Sequence, residues 1–193
     1  MTHHPSDAPP GAPVRLAVLT ASLRRGAFSV AVAHTLPELV AAPLTVQFLP
    51  TLHDVPLYNQ DVFDAGLPAP VEALGRGITD ADGLVIVTPE YNYSVPGTLK
   101  NAIDWLSRLP SKPLSGKPVA LMSSSTGALG GVRAQYHLRQ ILVAVDARVM
   151  NLPEVMIGQV DRKLGGEPPR LTDTASREHI QAQLQALQRF MRG

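Results

Sequence analysis

The chain has 193 residues, which falls between one and two average domains, and a single core that buries roughly 70% of the unfolded surface is the economical reading. Its 17 lysines and arginines against 16 aspartates and glutamates leave a formal net charge of +1 without a strong basic or acidic run, which argues against nucleic acid as the main partner. The absence of cysteine excludes disulfides, thiolate metal sites and thiol redox chemistry, and no apolar stretch approaches the roughly 18 residues that cross a bilayer.

The first thirteen residues contain Pro5, Pro9, Pro10 and Pro13 among small polar neighbours, and this composition predicts a disordered tail. The tail has neither a basic n-region nor an apolar h-region, so the cytoplasm is the expected compartment. From Val14 the pattern changes. VRLAVLT (14–20) is a nearly unbroken apolar run, which suits a strand buried on both faces. The loop that follows, TASLRRGAFS (20–29), holds the hydroxyls of Ser22 and Ser29, the planar donors of Arg24 and the flexible Gly26 ahead of a helix start. It reads either as a phosphate cradle or as an ordinary serine-capped helix with a solvated arginine pair. That helix runs through Ala33, Leu36 and Val40, and Pro37 is expected to bend or split it. TVQFL (45–49) alternates apolar Val46 and Phe48 with polar residues, predicting an edge strand, and Val71, Leu74 and Ile78 mark the next helix.

The third strand, LVIVT (84–88), ends in PEYNYSVPG (89–97), where Tyr91 and Tyr93 flank Asn92. Aromatics beside an amide at a strand end can line a planar heterocycle; burial in the core is the alternative. Glu90 reads as a catalytic acid or as a support for the loop. Pro96 fits the first turn of a helix marked by Leu99, Ala102, Ile103 and Leu106, with Ser94 or its neighbour as cap. Late in that helix, Trp105 and Arg108 are candidates for a subunit contact, with Trp105 equally suited to the core. VALMSS (119–124) is the fourth strand, and SSSTGALGG (123–131) follows, with glycines at 127, 130 and 131 that let backbone N–H groups approach a ligand or merely form a flexible turn. Leu138, Ile141, Leu142 and Val145 mark another helix, on which Arg133, Tyr136 and Arg139 form an oligomer face or a solvated one. RVMNL (148–152) is the expected fifth strand. After the loop RKLGGEPPR (162–170), Ile180, Leu184, Leu187 and Met191 define a closing helix.

Five strands alternating with helices predict an α/β domain with a doubly wound parallel sheet of order 2-1-3-4-5, which puts the alternating strand at an edge. The loops after strands one, three and four then converge where such sheets bind ligands. Other chemistries lack their residues. G-x-G-x-x-G, a P-loop and G-x-S-x-G are absent, a receiver domain would need acidic residues where Thr20, Ala21 and Pro89 stand, and the six histidines show no metal-ligand spacing, so no metal is expected.

Taken together, ASLRRGAFS, TPEYNYSVPGTLKNAIDWLSRLP and SSTGALGGVRAQYHLRQIL resemble the NADPH-dependent FMN reductase family, in its bacterial quinone and chromate reductase branch, from Val14 to Gly158. The resemblance implies a flavodoxin-like fold over 14–193, bound FMN, and NADH- or NADPH-dependent two-electron reduction of quinones and related acceptors such as chromate, azo or nitro compounds. It makes Ser22 and Arg24 phosphate ligands, sets Pro89, Glu90, Tyr91 and Asn92 beside the isoalloxazine ring with Tyr93 lining the site, and brings Ser124, Ser125 and Gly127 to the ribityl and ring side. The first loop departs from a pattern resembling G-S-L-R-x-x-S-x-N, with Ala21, Ala27 and Ser29 at the three changed places. Losing the hydroxyl at Ala27 is worth about 0.5–1.5 kcal/mol, so weaker FMN binding is expected, although backbone donors at Ala27 and Phe28 remain.

Without a redox centre of its own, the chain must borrow one, and a single flavin site admitting nicotinamide and acceptor in turn implies ping-pong kinetics. A flavodoxin-like electron carrier is the rival, disfavoured by the lack of an acidic docking face. A homodimer or homotetramer whose interface borders the flavin is also implied by the resemblance.

Overall fold

The computed structural model describes residues 13–192, so the expected tail lies, except for Pro13, outside the described residues. β1 (Val14–Thr20) has Leu16, Ala17, Val18 and Leu19 buried, as a strand covered on both faces requires. It pairs in parallel with β2 (Leu44–Phe48) on one side and β3 (Gly83–Pro89) on the other. β2 is the edge strand that its alternating pattern predicts, with Phe48 partly exposed and its ring 4.7 Å from that of His34. β4 (Pro118–Ser124), buried along its whole length, pairs with β3. The order is β2-β1-β3-β4 with the fifth position beyond β4, every pairing in this sheet being parallel.

That fifth position corrects the expected strand over 148–152. β5 is only Arg148–Val149; the chain then leaves the sheet, with Leu152 73% exposed, and pairing with β4 resumes at β6 (Val155–Ile157). Pro153 lies in the gap and has no N–H to give a ladder. Gln183 fills the break, its Nε2 donating to the Leu121 carbonyl of β4 at 3.1 Å and to the Pro153 carbonyl at 2.7 Å.

Helices cover both faces. Ala17 and Leu19 turn to one side, where α3 (Ala69–Thr79), α4 (Gly97–Arg108) and α5 (Val132–Val143) close a cluster containing Leu74, Ile103, Trp105 and Leu138. Leu16 and Val18 turn to the other, under α1 (Phe28–Ala33) and α6 (Thr174–Phe190), with Val32, Ile180, Leu184 and Leu187. The first helix ends at Ala33 and restarts as a 3-10 turn at Leu36–Glu38 around Pro37, the split expected there. Three short elements escape a periodicity reading. α2 (Gln60–Ala65) is capped by the Asn59 side chain accepting from the Asp61 amide and buries no residue, and β7 (Leu164–Gly165) forms a short hairpin with β8 (Arg170–Leu171) in the loop before α6. No helix among the described residues is long and apolar enough to cross a membrane.

Candidate functional site

Register brings three loops to one place. Thr20 lies opposite Val87 and Pro89 opposite Ser124, so the chain leaves β1, β3 and β4 at the same end of the sheet. The first loop is tied to its neighbours: the Ala21 amide donates to the Val87 carbonyl (3.1 Å), and Thr98 Oγ1 of α4 donates to the Ala21 carbonyl (2.9 Å). Ser22 Oγ meets the Tyr91 hydroxyl at 3.2 Å, a direct bond between two expected site residues, and accepts from the Arg24 amide at 3.3 Å. The exposed Arg24 guanidinium lies 5.1 Å over the Phe28 ring. Ala27 is the N-cap of α1, extended in backbone and without a side-chain cap, and its amide donates to the Arg24 carbonyl at 3.2 Å, so the backbone donor expected there is spent inside the loop and only that of Phe28 remains.

In the second loop, Tyr91 and Ser94 exchange backbone bonds around Asn92 (φ 47°) and Tyr93 (φ 65°), a tight hairpin turn with both central residues left-handed. That conformation is costly for a tyrosine. It leaves Tyr91 47% and Tyr93 65% exposed, against the alternative that these rings are core, and Arg133 of α5 stacks 4.1 Å over the Tyr93 ring. Glu90 is no free acid: its Oε2 accepts from the Arg133 and Ala134 amides (3.0 and 3.2 Å) and its Oε1 lies 3.4 Å from the Arg133 guanidinium. The carboxylate caps α5, as the loop-support reading holds. Ser94 does not cap α4. Pro96 is the N-cap residue and supplies no side-chain bond, while the Ser94 hydroxyl pairs with His137 Nδ1 at 3.0 Å.

The third loop, after β4, folds over itself. Ser125 Oγ donates to the Gly127 carbonyl (3.2 Å), and a Cβ at left-handed Gly130 would lie 2.6 Å from the Met156 backbone, so glycine is obligatory there. Two expected site hydroxyls, Ser29 Oγ and Ser124 Oγ, are buried without any hydrogen-bond partner. Ser124 shares a sheet face with Met122, which packs in the cluster closed by α1, the helix that carries Ser29. An unpaired buried hydroxyl costs about 1–3 kcal/mol, and a polar ligand entering at this end of the sheet would offset both.

Sequence reasoning missed the anchor of a fourth segment. Asn101 Oδ1 accepts from the Tyr58 amide and its Nδ2 donates to the Pro56 carbonyl (both 2.8 Å), which also accepts from Trp105 Nε1 at 2.8 Å. The signal was an asparagine one turn before a tryptophan on the apolar face of α4. Trp105 is fully buried, edge-on to Tyr58 at 5.0 Å, and belongs to its own core rather than to a subunit contact. Arg133, Tyr136 and Arg139 likewise do not make one free face, since Arg139 turns inward to the Met150 carbonyl (3.1 Å) and Glu154 (3.5 Å). Two cavities of about 320 and 330 Å³ lie elsewhere, one beside Leu114 and Asp146, the other beside Gly75 and Pro110, and neither touches the three loops.

A doubly wound sheet with three polar loops over the carboxyl ends of β1, β3 and β4 defines a flavodoxin-like flavoprotein. The chain belongs to the NADPH-dependent FMN reductase family, whose family model matches residues 14–162. It is 52% identical over 179 residues to a quinone reductase of Escherichia coli K12, covering 92% of this chain and 95% of that one. It is 45% identical to an NAD(P)H-dependent FMN reductase of Pseudomonas aeruginosa, over 93% and 96% of the two chains. A solved flavoenzyme NAD(P)H:(acceptor) oxidoreductase from Paracoccus denitrificans superposes with a TM-score of 0.83 at 31% identity, covering 92% and 97%. The cofactor is therefore FMN, and the residues fit it: a cationic fork at Arg24, two unpaired buried hydroxyls and two exposed tyrosine rings suit a phosphate, a polyol and a flat heterocycle.

Proposed function

We propose that the protein is an FMN-dependent NAD(P)H:quinone oxidoreductase whose site is the crevice formed by the three loops. The observation that carries this reading is their meeting in register at one sheet end, inside a region half identical to a quinone reductase. When bound, FMN supplies the hydride-accepting and hydride-donating centre that this cysteine-free chain lacks.

The residues divide the work of holding it. Arg24, Ser22 and the backbone N–H of Phe28, with the Ser29 hydroxyl, bind the phosphate, a charge-assisted fork meeting a group near two negative charges. Pro89, Glu90, Tyr91, Asn92 and Tyr93 wall the ring. Ser124, Ser125 and Gly127 meet the ribityl and ring side. With one flavin site and no separate dinucleotide motif in the sequence, nicotinamide and acceptor occupy the same face in turn, which gives ping-pong kinetics without a dedicated protein acid. Quinones are the acceptors this reading favours, with chromate, azo and nitro compounds as further candidates. A homodimer or homotetramer whose interface borders the crevice supplies walls to it, as partner subunits do for shallow sites.

The deciding experiment is the visible spectrum of the purified protein before and after anaerobic addition of NADPH or NADH, followed by a benzoquinone. Bound flavin should bleach and then recover. Flavin that neither nicotinamide bleaches would leave an electron carrier as the better account.

A further inference from the structure

The glycine loop between β4 and α5 has its carbonyls turned inward. Ser125 O accepts from the Val160 amide and Gly127 O from the Gln159 amide, both at 3.1 Å, with Ser125 Oγ a second donor to Gly127 O, so each of the first two has a main-chain donor. Gly130 O is held differently, by the Ser123 hydroxyl at 2.6 Å. Ser123 in turn accepts from Gln135 Nε2 at 3.0 Å, and the same Nε2 donates to the Val155 carbonyl at 2.6 Å. A carbonyl demands a donor, so the Val155 contact fixes which end of the amide faces Ser123. Both side chains are fully buried, and the bonds run one way, from Gln135 N–H through Ser123 O–H to Gly130 C=O.

In a trans peptide the carbonyl and the following N–H point in opposite directions. Pulling the Gly130 carbonyl inward therefore aims the Gly131 N–H away from the scaffold. Around the start of α5 the other amides are spoken for: Val132 donates to Leu129 O, Arg133 and Ala134 to Glu90, and Gln135 to Gly131 O. Gly131 alone among these has no partner among the described residues. We propose that Gln135 and Ser123 are positioning residues that act through Gly130 to aim the Gly131 N–H at the bound flavin, favouring the reduced form, which carries more negative charge. The proposal rests on the site assignment above. A fixed donor stabilises the state with more charge without reorganising.

The test uses FMN-loaded protein with Ser123→Ala and, separately, Gln135→Met, which keeps length and loses the donor. The midpoint potential of bound FMN and the dissociation constant of oxidised FMN are measured together. The expected result is a tenfold greater loss of affinity for reduced than for oxidised FMN in either variant, a fall of about 30 mV for a two-electron couple. The double variant should fall no further than the singles, because one chain is broken in each. An unchanged potential in both variants would overturn the proposal. If a variant binds FMN too weakly for electrochemistry, amide hydrogen exchange of apoprotein decides: faster exchange over 125–131 with β3 unchanged supports the device, and unaltered exchange refutes it. In the unaltered protein, FMN that fails to protect 22–29 and 125–131 would instead refute the site assignment itself.

Discussion

Arg24 is the proposed phosphate ligand, and its guanidinium rests on Phe28 without a carboxylate partner among the described residues. Arg24→Ala should weaken FMN binding by about 1.5–3 kcal/mol, read by fluorescence titration; unchanged affinity would take Arg24 out of the site. Ala27 offers a gain instead. It stands at the N-cap of α1 with extended backbone and no side-chain bond, where serine is among the preferred residues. Ala27→Ser should raise the melting temperature and tighten FMN, and a rise in stability alone would place the hydroxyl on the helix rather than on the phosphate. His34 reports on pH. Partial desolvation of this largely exposed ring first and the Arg170 guanidinium second hold its pKa below the usual 6.5. As pH falls through 6.5 the unfolded chain takes up this proton before the folded one, so stability declines there, and the loss is complete below the folded pKa. His34→Gln should show a smaller fall in melting temperature between about pH 7 and about pH 5. An equal fall would assign the acid sensitivity to other groups.

At the scale of elements, α4 does more than cover the sheet. Through Asn101 and Trp105 it fixes the Pro56–Tyr58 segment by three bonds, two of them converging on a single carbonyl, and Arg108 lies 5.4 Å over the Tyr58 ring. Asn101→Leu removes the acceptor for the Tyr58 amide and one donor to Pro56. Hydrogen exchange at the Tyr58 amide should accelerate while β3 stays protected, and a stability loss of about 1–3 kcal/mol is expected. Acceleration throughout the sheet would mean that the segment belongs to the global unit. The broken fifth strand depends on α6 in the same way. There a glutamine side chain replaces the missing ladder bond, so two elements far apart in sequence share one hydrogen-bonding deficit.

For the whole molecule, initial rates with both substrates varied should give parallel double-reciprocal lines; intersecting lines would reveal a second binding region. A mass above the monomer by light scattering at micromolar concentration is expected, and a fully active monomer would contradict the proposed assembly. The strand order was legible in the sequence because buried strands are unbroken apolar runs, the edge strand alternates, and crossover connections admit few topologies. The three polar loops were legible too, since each follows such a run. Other features were not. Glu90 as a helix cap, Trp105 as core and Arg139 as an inward brace depend on which partners lie within reach, and those partners stand 43, 49 and 11 residues away along the chain. Ser123 and Ser124 are neighbours of one residue type, and pattern cannot say that one is spent bracing Gly130 while the other is left unpaired. Periodicity is a property of the local chain and reports what must be buried. The pairing of polar groups is a property of packed space, so only the tertiary structure decided which side chains hold the scaffold and which remain free to meet a ligand.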